Sequence, residues 1–443
     1  MLPGVGVVGS GPLVRFLVPL LRDKGFPVSG IWGIHQTQVD SVAQELQIPF
    51  STDSIDTLLL RREVQLIVVA CPPHLHSAIV TKSFNVGKHV LCDWTAALTT
   101  AEMRDMVERA TYYPALISIL CHPLRFLVSC QRMRALIAAS SFLGQVHLIE
   151  ANIVGEQLTK LGNLYSVNCD HYMGGGILPT VASHIIDLIS FVTNTRAKRV
   201  NGLLRRLNQD YADPKYTLNR VTTSDYCTFQ MELEARDVRG VGRKPLLLAT
   251  ATINSRAPNT YVHEIRVHGS GGLLLLKEGS LYGKRYEEPG TGELDGELEL
   301  ISSEAVDPRL KLNDMLPSPY DQGLNKLIST LSNAFREEES DFCTKAVPAD
   351  SLDHSTSGTD SSYSSATSSL TSTDMNNKTD SEKMNHWFKE AVSLAANFED
   401  GQYIQAVIES LKESSERREW VRVKYNTPFS VMSPSKLNAS HRL

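Results

Sequence analysis

The residues with the clearest chemical use lie at the start of the chain, in Gly6-Val7-Val8-Gly9-Ser10-Gly11, a Gly-x-Gly turn between an apolar run and a helical pattern. Such glycines let the backbone approach a pyrophosphate, whose charge is met by the amides opening the next helix. Val14 stands where a third glycine would complete the fingerprint, and Pro12 sits in the loop. A merely tight strand-to-helix turn is therefore a competing reading. Position favours the first: the turn follows the first strand of an alternating strand and helix series, so Gly9, Ser10, Gly11, Pro12 and Leu13 are expected to hold a dinucleotide. The second strand ends Gly30-Ile31-Trp32-Gly33-Ile34-His35, with no carboxylate for a ribose 2′-hydroxyl and no arginine for a 2′-phosphate. His35 hints at phosphate, and NAD and NADP both stay open.

A second group lies near the middle of the chain. His184, in the helical run Ile177 to Phe191, titrates near neutrality and suits a general base. The bland alternative is a helix histidine hydrogen-bonded beside a cofactor. Asp170, His171 and Tyr165 precede Gly174-Gly175-Gly176 and are further candidate proton donors, while Asp187 reads as structural. No His, Cys and Asp grouping has zinc-site spacing, and no nucleophile elbow is present, so no metal is expected.

The elements that must position these residues follow from periodicity. Val5 to Val8, Val28 to Trp32, Leu66 to Ala70, His89 to Cys92 and Leu116 to Leu120 read as strands, with helices at Leu13 to Leu21, Val39 to Leu46, His76 to Phe84 and Thr100 to Thr111. That alternation predicts a doubly wound α/β Rossmann domain over residues 1–122. After a helix at Gln131 to Ala138, longer strands (Val146 to Ile153, Tyr226 to Leu233, Leu246 to Asn254, Glu264 to His268, Leu273 to Leu276) predict an α+β domain over 123–345 with an open, mainly antiparallel sheet. Residues 346–385 form a Ser/Thr-rich tract with little to bury, read as a disordered insert. Over 386–430 a helix and strand are expected to return to the fold.

One stretch is more specific than the glycine turn. Val64 to Ala70 continues into Cys71-Pro72-Pro73-His74-Leu75-His76, and Val86-Gly87-Lys88-His89-Val90-Leu91-Cys92-Asp93 follows. This combination resembles the glucose-fructose oxidoreductase, inositol dehydrogenase and MocA (Gfo/Idh/MocA) family, and Arg125-Phe126, Leu143-Gly144 and Gly174 to Asp187 extend the match. Met1 to Val7 and Pro317-Ser318-Pro319-Tyr320 resemble its animal glucose-fructose oxidoreductase domain-containing branch. The resemblance implies a tightly held NAD(P), with Cys71, Pro72, Pro73, His76, Asp93 and Trp94 on its nicotinamide side. It also implies a second domain used for substrate binding and oligomer contacts. His74, Lys88 and His89 are expected to support the turns rather than react.

The family carries Glu-Lys-Pro after the Gly-Lys-His-Val strand, and an aspartate four residues before a helical histidine. Here Asp93-Trp94-Thr95 and Thr180 occupy those places, with His184 retained. An indole N–H donates a hydrogen bond but neither releases nor takes up a proton at neutral pH. The resemblance therefore implies a dinucleotide-binding oxidoreductase homologue without its catalytic Lys and Asp, a pseudoenzyme or cofactor-dependent sensor or scaffold. Two alternatives are an oxidoreductase using His184 on an unusual sugar-like or polyol-like substrate, and a secreted matrix-associated protein.

Composition narrows the partners. The 443 residues are 42% hydrophobic, and 44 basic against 49 acidic residues give a net charge of −5. There is no electrostatic footprint for nucleic acid. The seven cysteines include no C-x-x-C pair and read as small buried hydrophobes of a reducing, cytoplasmic compartment. Arg15 interrupts the apolar run near the N-terminus, and no basic segment precedes it, which argues against a signal peptide. No membrane span is expected. An open sheet left bare predicts a homodimer.

Overall fold

Strand β1 (Val5–Val8) is buried along its whole length, as a central parallel strand covered on both faces must be. The structure is a computed structural model describing residues 2–155, 169–207, 222–235, 246–257, 260–286, 298–303, 317–345 and 392–425. Around β1 alternate α1 (Pro12–Asp23), β2 (Val28–Trp32), α2 (Gln36–Glu45), β3 (Ser51–Thr52), α3 (Ile55–Leu59), β4 (Leu66–Val69), α4 (His76–Asn85), β5 (His89–Cys92), α5 (Thr100–Tyr112) and β6 (Ser118–Leu120). All these strands are parallel, in the spatial order β3-β2-β1-β4-β5-β6. Strand order reverses beside β1, so a crevice opens above the carboxyl ends of β1 and β4, where ligands of this architecture bind.

The second sheet begins after α6 (Val128–Ala139). Its strands are β7 (Val146–Gly155), then, beyond α7 (Ser183–Thr193), β8 (Thr195–Arg205), β9 (Tyr226–Ala235), β10 (Leu247–Asn254), β11 (Tyr261–Gly269), β12 (Gly272–Lys277), β13 (Ser280–Arg285) and β14 (Glu299–Ser302). They pair in the order β14-β13-β12-β11-β7-β10-β9-β8, antiparallel except for β7 with β10, which run parallel in register from Leu148–Leu248 to Val154–Asn254. Burial alternates along β10, with Ala249, Ala251 and Ile253 facing the core. Residues 171–193 form an apolar run of 23 residues, long enough by composition to cross a membrane. Of its most apolar 18-residue window 89% is buried inside the protein, as a central core segment is.

One later helix differs from expectation. Helix α8 (Ser318–Lys345) falls in the span assigned from sequence to the second domain, yet Leu324, Leu327, Ile328, Leu331 and Phe335 share one core with Val5, Val7, Leu17, Leu21 and Phe26 of the Rossmann unit. Phe335 meets Phe26 edge to face at 6.1 Å, and Ser332 Oγ donates to the Lys24 carbonyl at 2.8 Å. The α8 apolar face finds its partner on the first domain because α1 leaves one open there.

The chain end stitches both units. β15 (Ala396–Asn397) pairs antiparallel with β6, α9 (Phe398–Arg417) follows, and β16 (Val421–Arg422) pairs with β8. Phe398, Tyr403, Ile404, Val407 and Leu411 of α9 belong to a core that runs from Val8 and Phe84 to Ala249 and Ile265. Beneath it Arg125 pairs with Asp187 and Asp400, and Asp400 also with Arg196. All four side chains are largely buried, so this ion network ties α9 to the second domain. The Ser/Thr tract lies outside the described residues.

Candidate functional site

The crevice above β1 and β4 is a cavity of about 590 Å³, within the range of cofactor clefts. At its middle, Gly9 has φ +135°, and its amide donates to the Trp32 carbonyl at 2.8 Å. A Cβ there would sit 2.3 Å from the Ala70 carbonyl oxygen, so the fold itself requires glycine. Gly11 is different. Its φ is −76°, open to any residue, and a Cβ would meet nothing within 4 Å. Nothing in the chain demands a glycine at that position, whereas a pyrophosphate laid across the turn does. No side chain caps α1, Pro12 is in its first turn, and no acidic residue lies there. Pro12 has no amide hydrogen and the Val14 amide donates to the Gly11 carbonyl at 3.1 Å, so in this first turn the Leu13 amide is left for an anion. Gly9, Ser10, Gly11, Pro12 and Leu13 all line the cavity, and the residues present fit a dinucleotide.

Toward β2 the wall is Trp32, Gly33, Ile34, His35 and Gln38. Trp32 is anchored by its indole N–H to the Asp53 carbonyl at 2.8 Å, while Ile34 and His35 are exposed at the rim. Toward β4 and β5 the wall is Cys71, Pro72, Pro73, His76, Asp93 and Trp94, so every residue expected to touch cofactor lines this one cleft. His76 is fixed: Nε2 hydrogen-bonds the Cys71 carbonyl at 2.7 Å, and Nδ1 faces the Cys92 thiol at 3.6 Å. Burial lowers its pKa to about 4, so it shapes the loop as a neutral ring. Burial likewise raises the Asp93 carboxyl to about 7, against hydrogen bonds from the Trp94 amide and the Cys121 thiol.

At the inner end, the side chains of Trp94 and Thr180 are both engaged. Trp94 Nε1 donates to the Pro179 carbonyl at 2.8 Å, and that oxygen also accepts from Thr95 Oγ1 at 3.1 Å and Ser183 Oγ at 2.7 Å. Pro179 lies in a wide π-type turn, Leu178–Ala182, of the kind found at functional sites. Thr180 Oγ1 donates back to the Gly176 carbonyl at 2.8 Å. Neither side chain can take a proton from a ligand.

His184 lines the cavity, and its Nδ1 lies 3.0 Å from Nδ1 of His122, so one ring must donate and the other accept. Burial, then the neighbouring His122 and His263, holds its pKa well below the ordinary histidine value. Trp94 packs on His122 at 4.8 Å, and Tyr320 of α8 meets His184 at 5.3 Å and His263 at 6.0 Å. The buried His122 Nε2, both His263 ring nitrogens and Tyr320 Oη have no hydrogen-bond partner. This histidine and tyrosine cluster escaped the sequence reading. The helical spacing of Tyr320, Leu324, Leu327 and Leu331 was the signal that α8 turns one face inward.

The remaining candidates fall elsewhere. Asp170 caps a short turn by accepting from the Tyr172 amide at 2.8 Å, His171 is exposed, and neither lines the cavity, so the proposed replacement donors are not delivered to it. Tyr165 lies outside the described residues. Lys88 Nζ donates to the carbonyls of Arg61 and Val64, at 3.1 and 2.6 Å, and His89 Nδ1 accepts from the Ile117 amide at 3.0 Å. His74 is exposed beside the loop. Asp187 is structural, paired with Arg125.

Comparison with known proteins agrees with this geometry. Residues 4–119 match the oxidoreductase family model with an NAD-binding Rossmann fold, and residues 130–275 match the GFO/IDH/MocA C-terminal domain. The chain belongs to the Gfo/Idh/MocA oxidoreductase family. Among Gfo/Idh/MocA relatives, it is 32% identical to mouse (Mus musculus) glucose-fructose oxidoreductase domain-containing protein 1, over 99% of this chain and 96% of the relative. It is 33% identical to human (Homo sapiens) glucose-fructose oxidoreductase domain-containing protein 2, over 96% of this chain and 95% of the relative. An oxidoreductase domain protein from Kribbella flavida superposes with a TM-score of 0.67 at 20% identity, covering 96% of this chain and 99% of that one. Levoglucosan dehydrogenase, solved with NADH and L-sorbose, superposes with a TM-score of 0.64 at 14% identity, over 96% and 99%. The Gfo/Idh/MocA fold thus accounts for the cleft, and a nicotinamide dinucleotide for its glycine cradle.

Proposed function

We propose that this protein binds a nicotinamide dinucleotide as a sensor or scaffold and has lost the standard dehydrogenase reaction of its family. One observation carries the reading. Where a proton carrier would stand, Trp94 spends its only donor on the Pro179 carbonyl. When bound, the dinucleotide supplies a hydride acceptor or donor. The chain's part is to cradle phosphate at Gly9 to Leu13, seat the ring beside Cys71, Pro72 and Asp93, and exclude water with Trp94, Val181 and Tyr320. What is missing is a group to move the hydroxyl proton.

Native mass spectrometry of purified protein should show NAD or NADP bound stoichiometrically, and incubation with a panel of sugars and polyols should leave cofactor absorbance unchanged. Ordinary turnover that His184→Ala abolishes would sink the proposal. That outcome is the second reading, and the contact of His184 with His122 favours it, because the pair offers a proton somewhere to go.

We further propose self-association through the sheet face turned away from the core, where Leu148, Leu248 and Val154 lie half-buried among the ion pairs Arg199–Glu232 and Arg266–Glu264. Light scattering at micromolar concentration tests it, and a monomer argues against it.

A further inference from the structure

We propose that Asp93 sets which redox form of the dinucleotide this cleft prefers, its carboxylate selecting the oxidised, positively charged nicotinamide over the neutral reduced ring. The proposal rests on the dinucleotide reading above and adds a residue that discriminates between two states of the same ligand.

The argument starts from placement. Asp93 directly follows β5 and lines the cavity between Cys71, two residues past β4, and Cys121, directly after β6. A dinucleotide that straddles the switch point beside β1, with adenosine at β2, puts its other nucleotide against these strand ends. Among the described residues lining the cavity, Asp93 is the single carboxylate, and none is a lysine or arginine. No cation among the described residues pairs with it. Its carboxyl accepts from the Trp94 amide and the Cys121 thiol, which orient the charge without neutralising it. The groups facing it from the packed elements are Cys71, Cys92 and Cys121, all thiols that burial holds protonated, with neutral His76 behind Cys71 and Cys92. The complement to this negative charge must therefore come from a ligand.

The oxidised nicotinamide carries a positive charge and the reduced ring carries none. The pyrophosphate is common to both, so its contribution cancels when the two affinities are divided. An opposite charge within several ångströms shifts a carboxyl by about one unit or more, which corresponds to a preference on the order of tenfold for the oxidised form. The sign with pH follows. The carboxyl ionises around 7, so the preference is weak below that value and full above it, and binding of the oxidised form releases a proton.

The test measures binding of NAD⁺ and NADH, and in parallel NADP⁺ and NADPH, to the full chain by calorimetry at about pH 6 and about pH 8, for wild type and Asp93→Asn. Wild type is expected to gain about fivefold in its oxidised-to-reduced affinity ratio between the two conditions, while the variant shows a ratio that does not move. A flat wild-type ratio, or the same pH dependence in Asp93→Asn, overturns the proposal. Should the variant fail to fold, wild type alone decides: calorimetry near pH 7 in two buffers of different ionisation enthalpy must show proton release with the oxidised form and none with the reduced. Failure of wild type to bind either form would overturn the dinucleotide reading and this proposal together, whereas tight binding without redox preference overturns only this one.

Discussion

Gly9 and Gly11 stand two residues apart, and replacing each by alanine should separate what the fold needs from what the ligand needs. At Gly11 the backbone already lies where alanine is comfortable, and the added carbon meets nothing within 4 Å. Alanine is a poorer helix N-cap than glycine by about 0.5–1 kcal/mol, but it loses less chain entropy on folding by about 0.4–1 kcal/mol. Stability should therefore change by less than about 0.5 kcal/mol. A dinucleotide lying across the turn would meet the new methyl as an overpacked contact costing about 1–3 kcal/mol, a loss of about 5- to 150-fold in affinity. At Gly9 the positive φ alone costs about 1–3 kcal/mol for alanine, and the contact 2.3 Å from the Ala70 carbonyl forces β1 and β4 apart. Urea unfolding and calorimetric titration with NAD⁺ on the same preparations would read both effects. A Gly11→Ala protein that binds NAD⁺ as tightly as wild type would refute the claim that the open space above this turn is where phosphate sits.

Three further outcomes follow from the structure. Arg125→Met leaves Asp187 buried beside a neutral histidine and should destabilise the protein by about 3–5 kcal/mol, read as a lower urea midpoint; a change under about 1 kcal/mol would show that the network is not what holds α9. His76, His89, His122 and His263 fall to about 4 in the fold from an ordinary 6.5, so the unfolded chain binds more protons between those values, and stability drops as pH falls through that window. Asp93 and Asp321, raised to about 7, act the other way, their contribution being full below the ordinary 3.8 and lost as pH rises through 7. With these rings, and His184 shifted in the same direction, outnumbering the two carboxyls, unfolding midpoints should decline from about pH 6.5 to about pH 4, and a rise would contradict the burial of the histidines. On the proposed reading, Trp94→Lys combined with Thr180→Asp supplies a lysine and an aspartate at the two positions and should yield weak polyol-dependent NAD⁺ reduction beyond any that wild type shows; a double variant that binds NAD⁺ but stays silent would count against the reading that these two side chains alone account for it.

The first domain was legible because its signals are local. Val5 to Val8, Leu66 to Val69 and His89 to Cys92 are short apolar runs with a turn after each, and the residues following them converge on the cleft through the parallel sheet alone. Motif spacing singled out Trp94, Thr180 and His184, and all three line the cavity. What stayed hidden depends on contacts between distant segments. His122 and His263 look like ordinary core histidines until α7 and α8 bring His184 and Tyr320 against them. The parallel pairing of β7 with β10 and the docking of α8 on α1 likewise follow from tertiary packing rather than from periodicity.

The Pro179 oxygen has a mechanical consequence. Two of its three donors, Trp94 and Thr95, come from the Rossmann side of the cleft, while the turn that presents it belongs to the other side. The walls are latched in the resting molecule, and α9 runs through the core behind them. A ligand therefore meets a jaw already set at its final width. Association should be a single fast step without a slow closing phase, and the free and occupied forms should superpose closely.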